Sequence, residues 1–332
     1  MKLFVTGGAG FIGSNFVQAV AQERPEWSTV VFDLLTYAGN RANLLNQPNH
    51  TFVQGDIADK AAVETALTGC DLVVHFAAES HVTRSEDDPD RFYRTNVTGT
   101  EVILVAAKSV NIPVIHISTD EVYGPITDGY FKESDKEIGD NQATSAYAKS
   151  KSLADDVATA AMANQKVIVV RPTNNYGPRQ YPEKALPRWI TNLIAGEPIP
   201  LWGDGRQVRD WLFVEDTARA VLHLIEHGQW GEVYNIGVNH DPEYSNKTVA
   251  EKLCRLFELD PEAFVQPISD PRPDHDVRYG VDTTKFTALG FKPSTPFDVG
   301  LRQTVDWYRA NEAWWQPLKA EAESIYEKKE SK

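Results

Sequence analysis

The sequence predicts an α/β fold, a doubly wound parallel sheet followed by a smaller C-terminal domain. Three observations carry that expectation. Short apolar runs alternate with longer helical patterns through the first half of the chain. The runs are continuously apolar, as in central strands covered on both faces. A glycine-rich turn joins the first run directly to the first helical pattern, as in Rossmann-like domains.

In chain order the predicted strands are Leu3–Thr6, Thr29–Asp33, Thr51–Gln54, Leu72–Phe76, Val114–Ser118 and Val167–Val170, rich in Val, Ile and Phe. They define a first domain over residues 1–171. After Arg171 the texture changes to loops dense in Pro, Asn and Gly, such as Arg171–Pro187 and Gly203–Asp210, with a short helix at Pro187–Ala195. Residues 172–315 therefore form mainly a substrate-binding domain over the carboxyl edge of the sheet, with some segments returning to the first domain. Leu301–Trp315 reads as one amphipathic helix whose Trp307, Trp314 and Trp315 fill core. The tail, 316–332, is a charged helix or frayed end without assigned chemistry.

With 42% hydrophobic residues, 332 residues suffice for a substantial core. The chain has 33 basic and 47 acidic residues, a net charge of −14, which excludes general attraction to nucleic acid or anionic lipid. A polyanionic ligand then needs a local basic pocket. Cys70 and Cys254 lack metal-ligand spacing, so neither a disulfide framework nor a bound metal is expected. No signal-like leader or membrane-spanning run is seen, and a soluble cytoplasmic protein is expected.

Gly7, Gly10 and Gly13 let backbone approach a pyrophosphate at the N-terminus of the first helix. Asp33 ends the second strand, where a carboxylate accepts both ribose hydroxyls and repels a 2′-phosphate, favouring NAD over NADP. Asp56 suits the adenine amino group, or is an ordinary loop aspartate leading into a helix.

Tyr147 and Lys151 share one helix face one turn apart. A tyrosine base at neutral pH needs its pKa lowered by roughly three units, about 4 kcal/mol of phenolate stabilisation, for which Lys151 and NAD⁺ are the candidates. The adjacent acids Asp120 and Glu121, at the end of the fifth strand, fit paired acid and base roles; burial and mutual repulsion raise one apparent pKa of such a pair. His75, inside an apolar strand, reads as structural.

Several segments carry a resemblance: Asp33-Leu34-Leu35-Thr36-Tyr37-Ala38-Gly39-Asn40, His75-Phe76-Ala77-Ala78-Glu79-Ser80-His81-Val82, Ser118 to Gly124, Asn174-Asn175-Tyr176-Gly177-Pro178, Pro182-Glu183-Lys184 and Arg209-Asp210-Trp211. From the first strand to about Asn311 the chain resembles the extended short-chain dehydrogenase/reductase family, and within it the nucleotide-sugar 4,6-dehydratases. Related epimerases carry small or hydroxyl residues where Asp120 and Glu121 stand. The resemblance implies an NAD-dependent lyase that oxidises a nucleotide hexose at C4, eliminates water across C5 and C6, and returns hydride to C6. The expected substrate is dTDP-glucose, with UDP-glucose as the alternative. A 4-epimerase or decarboxylase of nucleotide sugars, or a non-catalytic NAD-binding module, are the other classes.

By the same resemblance Thr119 touches the 4-hydroxyl, Asp120 protonates the leaving 6-hydroxyl, Glu121 removes the C5 proton, and Tyr147, supported by Lys151, deprotonates the 4-hydroxyl. Phe11, Ile12, Leu34, Thr36, Ile57, Ala77, Ala78, Ser80, Asn96 and Asn175 join the glycines, Asp33 and Asp56 around the cofactor. His81, Asn174, Lys184, Arg209, Asn246, Arg272 and His275 join Thr119 around the substrate. A homodimer is expected, through the helix after the fourth strand and the Tyr147 helix. Two departures, Asp274 for a glycine and Arg179 for an aromatic, bear on preference for the nucleotide base.

Overall fold

The computed structural model describes residues 1–44, 48–139, 143–270 and 277–330. Seven strands form one sheet: β1 (Lys2–Thr6), β2 (Ser28–Asp33), β3 (His50–Gln54), β4 (Leu72–His75), β5 (Val114–Ile117), β6 (Val167–Pro172) and β7 (Val233–Ile236). Their spatial order is β7-β6-β5-β4-β1-β2-β3 and every pairing is parallel. The order reverses between β1 and β4, and that switch point is where a ligand crevice opens at the carboxyl ends of strands.

All six expected strands are present. Continuous burial holds for β4, β5 and β6 but fails for β3, whose residues are half-buried or exposed. The reason is position, since β3 is the edge strand beyond β2. The seventh strand was not among the expected ones. It lies within 172–315 and returns to pair with β6 in the register Val233↔Val169 to Ile236↔Pro172.

Helices cover both faces: α1 (Phe11–Glu23), α2 (Lys60–Leu67), α3 (Gly99–Ser109), α4 (Ala146–Ala161), α5 (Ala185–Ile194), α6 (Val214–His227), α7 (Asn246–Leu256), α8 (Phe297–Ala310) and α9 (Glu312–Glu330). One core layer joins Leu3, Val5, Phe16 and Val74 to Ala218, Val221 and Leu224 of α6. Arg24–Glu226 and Arg219–Glu23 ion pairs also link α1 to α6. The opposite layer packs Phe4, Phe32 and Val114 against α2, α3 and α4. A separate core of Trp189, Ile190, Leu253, Leu301, Val305, Tyr308 and Trp315 supports the second domain.

The single helix expected over Leu301–Trp315 is two helices, broken at Asn311, whose backbone leaves the helical region at φ −125° and ψ 41°. Trp315 is buried, and Trp307 and Trp314 meet edge-on at 4.9 Å, so the aromatics do fill core. The tail is helical through Glu330 and docked rather than frayed where its side chains are described. Glu323 accepts a forked hydrogen bond from Arg188, and Glu321 lies 3.6 Å from Arg84. Both cysteines are buried free thiols. His75 is structural, hydrogen bonded to the Thr6 and Thr100 hydroxyls.

Candidate active site

Two clefts open at the carboxyl edge of the sheet and share the walls Gln180, Glu183 and Lys184. The first lies at the switch point. Gly7 has φ +68°, and a methyl there would sit 2.6 Å from the Ala77 nitrogen. A methyl on Gly13 would sit 2.3 Å from the Gly7 oxygen. Neither position admits a side chain, because the turn folds back on its own backbone to bring the start of α1 against β4. Asp33 completes this turn from β2, accepting the Ala9 amide at 3.0 Å and the Leu35 amide at 2.8 Å. Burial raises its carboxyl pKa against the lowering effect of those two amides.

Gly7, Gly10, Phe11, Ile12, Gly13, Asp33, Leu34, Thr36, Asp56, Ile57, Ala77, Ala78, Ser80, Tyr147 and Lys151 all line this first cleft, as expected. Asp56 accepts a hydrogen bond from Arg94 at 2.6 Å and one from the Ala58 amide. Two expected members stand elsewhere. Asn96 lies behind the wall, where its amide holds both backbone groups of Glu79 and the Ser150 hydroxyl. Asn175 faces the second cleft, with its amide held by Thr173 and Thr217.

The second cleft is lined by His81, Glu121, Asn174, Lys184, Arg209 and Asn246 among the expected residues. His81 caps a short helix by accepting the Arg84 amide. Lys184 donates to the Ser80 carbonyl at 2.7 Å, tying the two clefts together. Arg209 donates to the Val208 carbonyl and lies 4.7 Å over the Tyr279 ring. Asn174 Oδ1 is buried without a hydrogen-bond partner, a state that costs free energy until a donor arrives. Arg272, His275 and the departure at Asp274 fall outside the described residues. Arg179 is not among the residues lining this cleft and donates to Asn15 and Gln18 on α1.

The substrate-side wall also includes Trp189, Trp202, Gln207 and Tyr279, for which no site role was expected. Glu183 and Trp211 stand in segments already singled out, so a signal existed for them. Trp202 and Tyr279 carry no local pattern that distinguishes a cleft aromatic from a core one.

The chemical groups stand between the clefts. Thr119 and Asp120 are buried and Glu121 opens onto the second cleft. Asp120 accepts the Thr119 hydroxyl at 3.2 Å, and its other oxygen is buried without a partner. Burial first, then the Glu121 carboxylate, pushes the Asp120 pKa up to about 7.

Tyr147 departs from expectation. Burial, followed by the charges of Glu121 and Asp120, raises the phenol pKa, opposed only by a Thr119 hydrogen bond. Lys151 does not lower it by direct contact, since its ammonium donates to the Ile117 carbonyl at 2.8 Å. Burial lowers the Lys151 pKa to about 8, against the opposing charge of Asp155. A phenolate here therefore needs further positive charge beside it. Among the described residues no cluster of His, Cys, Asp and Glu is arranged to hold a metal ion.

These features, a glycine turn at the switch point and a tyrosine–lysine helix beside it, agree with what sequence comparison finds. The chain belongs to the NAD dependent epimerase/dehydratase family, which it matches over residues 3–237. It is 43% identical over 335 residues to a dTDP-glucose 4,6-dehydratase of Streptomyces niveus, covering 98% of this chain and 97% of the relative. Among solved structures it is similar to a double mutant of dTDP-glucose 4,6-dehydratase from Streptomyces venezuelae with NAD bound, at 42% identity and a TM-score of 0.90 over 96% of this chain and 100% of that one. The dTDP-glucose 4,6-dehydratase from Bacillus anthracis in complex with NAD follows at 40% identity and a TM-score of 0.86, with the same coverage.

Proposed function

We propose that this chain is an NAD-dependent dTDP-glucose 4,6-dehydratase, producing dTDP-4-keto-6-deoxyglucose and water. The observation that carries the reading is the pair Asp120 and Glu121, two acids beside the half-buried Tyr147 where the clefts meet, the Asp120 pKa raised to about 7 by burial and by Glu121. A 4-epimerization has no use for such a pair, whereas loss of water across C5 and C6 needs an acid and a base together.

The first cleft fits NAD: backbone without Cβ atoms at Gly7 and Gly13, the opening of α1, and a carboxylate at Asp33 where two ribose hydroxyls would lie. Bound there, NAD would supply reversible oxidation at the sugar C4 and a positive charge that favours the Tyr147 phenolate. Tyr147 takes the 4-hydroxyl proton, with Thr119 orienting that hydroxyl and Lys151 adding positive charge to the same cleft. Oxidation at C4 acidifies the C5 proton, which Glu121 removes. Asp120 delivers its proton to the departing 6-hydroxyl, and Glu121 gives its proton back to C5 as the hydride taken from C4 returns to C6, which yields the 4-keto-6-deoxy sugar. Asn174, whose buried oxygen lacks a donor, receives a sugar hydroxyl. Lys184, Arg209 and Asn246 hold the nucleoside diphosphate in an otherwise acidic protein.

A homodimer through α3 and α4 is carried over from the family resemblance. On these neighbouring helices Val105 and Leu153 are exposed. No helix among the described residues is long and apolar enough to cross a membrane, and we place the enzyme in the cytoplasm with its nucleotide-sugar substrate.

Incubation of purified protein with dTDP-glucose and UDP-glucose separately, followed by product mass, tests the reading. Loss of one water from dTDP-glucose is expected. An unchanged mass with altered C4 configuration would replace the dehydratase reading with epimerization, and preferential dehydration of UDP-glucose would reassign the base.

A further inference from the structure

Thr119, Asp120 and Glu121 belong to a short stretch ending in the one-turn helix Asp120–Tyr123. Both ends of that stretch run to a single buried ion pair. At the near end, the Ser118 hydroxyl donates to Asp155 Oδ2 at 2.6 Å. At the far end, the Tyr123 hydroxyl accepts from Arg171 Nη1 at 2.7 Å, and the guanidinium lies 4.8 Å over the Tyr123 ring. Arg171 and Asp155 close the circuit with a fork, Nε to Oδ2 at 2.9 Å and Nη2 to Oδ1 at 2.6 Å. Both residues are only 1% exposed.

The pair joins two elements that also meet in an apolar layer of Ala158, Val167 and Val169. Arg171 stands on β6, and Asp155 stands on α4 one turn beyond Lys151. A second ring of hydrogen bonds fixes the guanidinium from the other side. Tyr123 donates to Asn235 Oδ1 at 2.7 Å, the Asn235 amide nitrogen donates to Glu133 Oε1 at 2.9 Å, and the Glu133 carbonyl accepts from Arg171. The Asn235 side chain is oriented in turn by the Phe131 and Asp282 carbonyls.

Stability alone does not account for this arrangement. The desolvation cost of a buried ion pair largely cancels its attraction, and apolar residues of similar volume hold the same layers as well or better. Directional bonds do what apolar contacts cannot: they set one register for the stretch between their two attachment points. We propose that Arg171 and Asp155 are positioning residues, which tether the Thr119–Tyr123 stretch at both ends against α4 and so set Asp120 and Glu121 relative to Tyr147. The proposal rests on the dehydratase reading for its catalytic consequence, though not for the tether itself.

Ser118→Ala and Tyr123→Phe each remove one tether without leaving a buried charge unpaired. Each variant should lower kcat on dTDP-glucose by about ten- to a hundredfold, with KM within about twofold of the parent. Backbone amides of residues 119–124 should exchange with deuterated solvent faster in both variants, while those of β1, β4 and β6 keep their protection. Unchanged kcat in both variants, or a uniform rise in exchange over the whole sheet, would overturn the proposal. If the parent protein makes no product from dTDP-glucose, the dehydratase reading falls and amide exchange alone decides the tether. Unaltered protection of 119–124 then overturns it.

Discussion

One cleft carries glycines and alanines where backbone lies open among bulkier walls, whereas the other, which has no glycine in its lining, is walled by long polar and aromatic side chains. Glycines 7, 10 and 13 with Ala77 and Ala78 shape the first, whereas Lys184, Arg188, Trp202, Gln207, Arg209 and Tyr279 shape the second. In the proposed function the first holds its ligand through close backbone approach, so a single methyl should weaken binding sharply. The second reads charge and ring faces through side chains from several loops, so each loss is partial. Between them lies a junction of buried and half-buried titratable groups, Asp120, Glu121, Tyr147 and Lys151, to which the proposed function gives the chemistry.

The largest expected effect is at the junction. Glu121→Gln should lower kcat by about a hundred- to ten-thousandfold and abolish solvent deuterium incorporation at C5, with bound NAD retained. Unimpaired exchange at C5 would remove Glu121 from its role and blur the line between junction and clefts.

Next comes the proton on Asp120. Its carboxyl pKa is raised in the folded protein to about 7, so the native state keeps a proton that the unfolded chain releases near pH 4. The stability this contributes is fully present below about pH 4 and lost as pH rises to about 7, at most about 4 kcal/mol across that window. Asp120→Asn should therefore raise Tm relative to the parent more at pH 8 than at pH 4. Equal shifts at both values would mean that the carboxyl is not held protonated. In the parent, kcat should also decline above pH 7 as the acid is lost.

The backbone cleft follows. Gly13→Ala places a methyl against the Gly7 carbonyl, and about 3 kcal/mol of overpacking corresponds to roughly 150-fold weaker NAD binding. Nucleotide released on denaturing the purified variant measures it, and full occupancy would contradict the close-approach account. Smallest is the side-chain cleft, where Lys184→Ala should raise KM for dTDP-glucose about tenfold, the loss of about 1.5 kcal/mol from one charge-assisted bond, with kcat nearly unchanged. A collapse of kcat instead would show that the two clefts are coupled through the Lys184–Ser80 bond.

Chain-local patterns settled much of this molecule before any tertiary contact was considered. Six strands, the glycine turn, Asp33 at the end of β2 and the shared face of Tyr147 and Lys151 follow from apolar runs, backbone permissiveness and helical spacing, which act over a few residues. Tertiary structure alone decided the rest. It returned Val233–Ile236 to the sheet edge, moved Asn96 behind the wall, turned Arg179 onto α1, and brought Trp202 and Tyr279 to one cleft. It also set the protonation of the site: Lys151 reaches the Ile117 carbonyl instead of the Tyr147 phenol, and burial raises the phenol pKa. Desolvation and contacts between residues distant along the chain depend on the packed arrangement of layers, which no local spacing encodes.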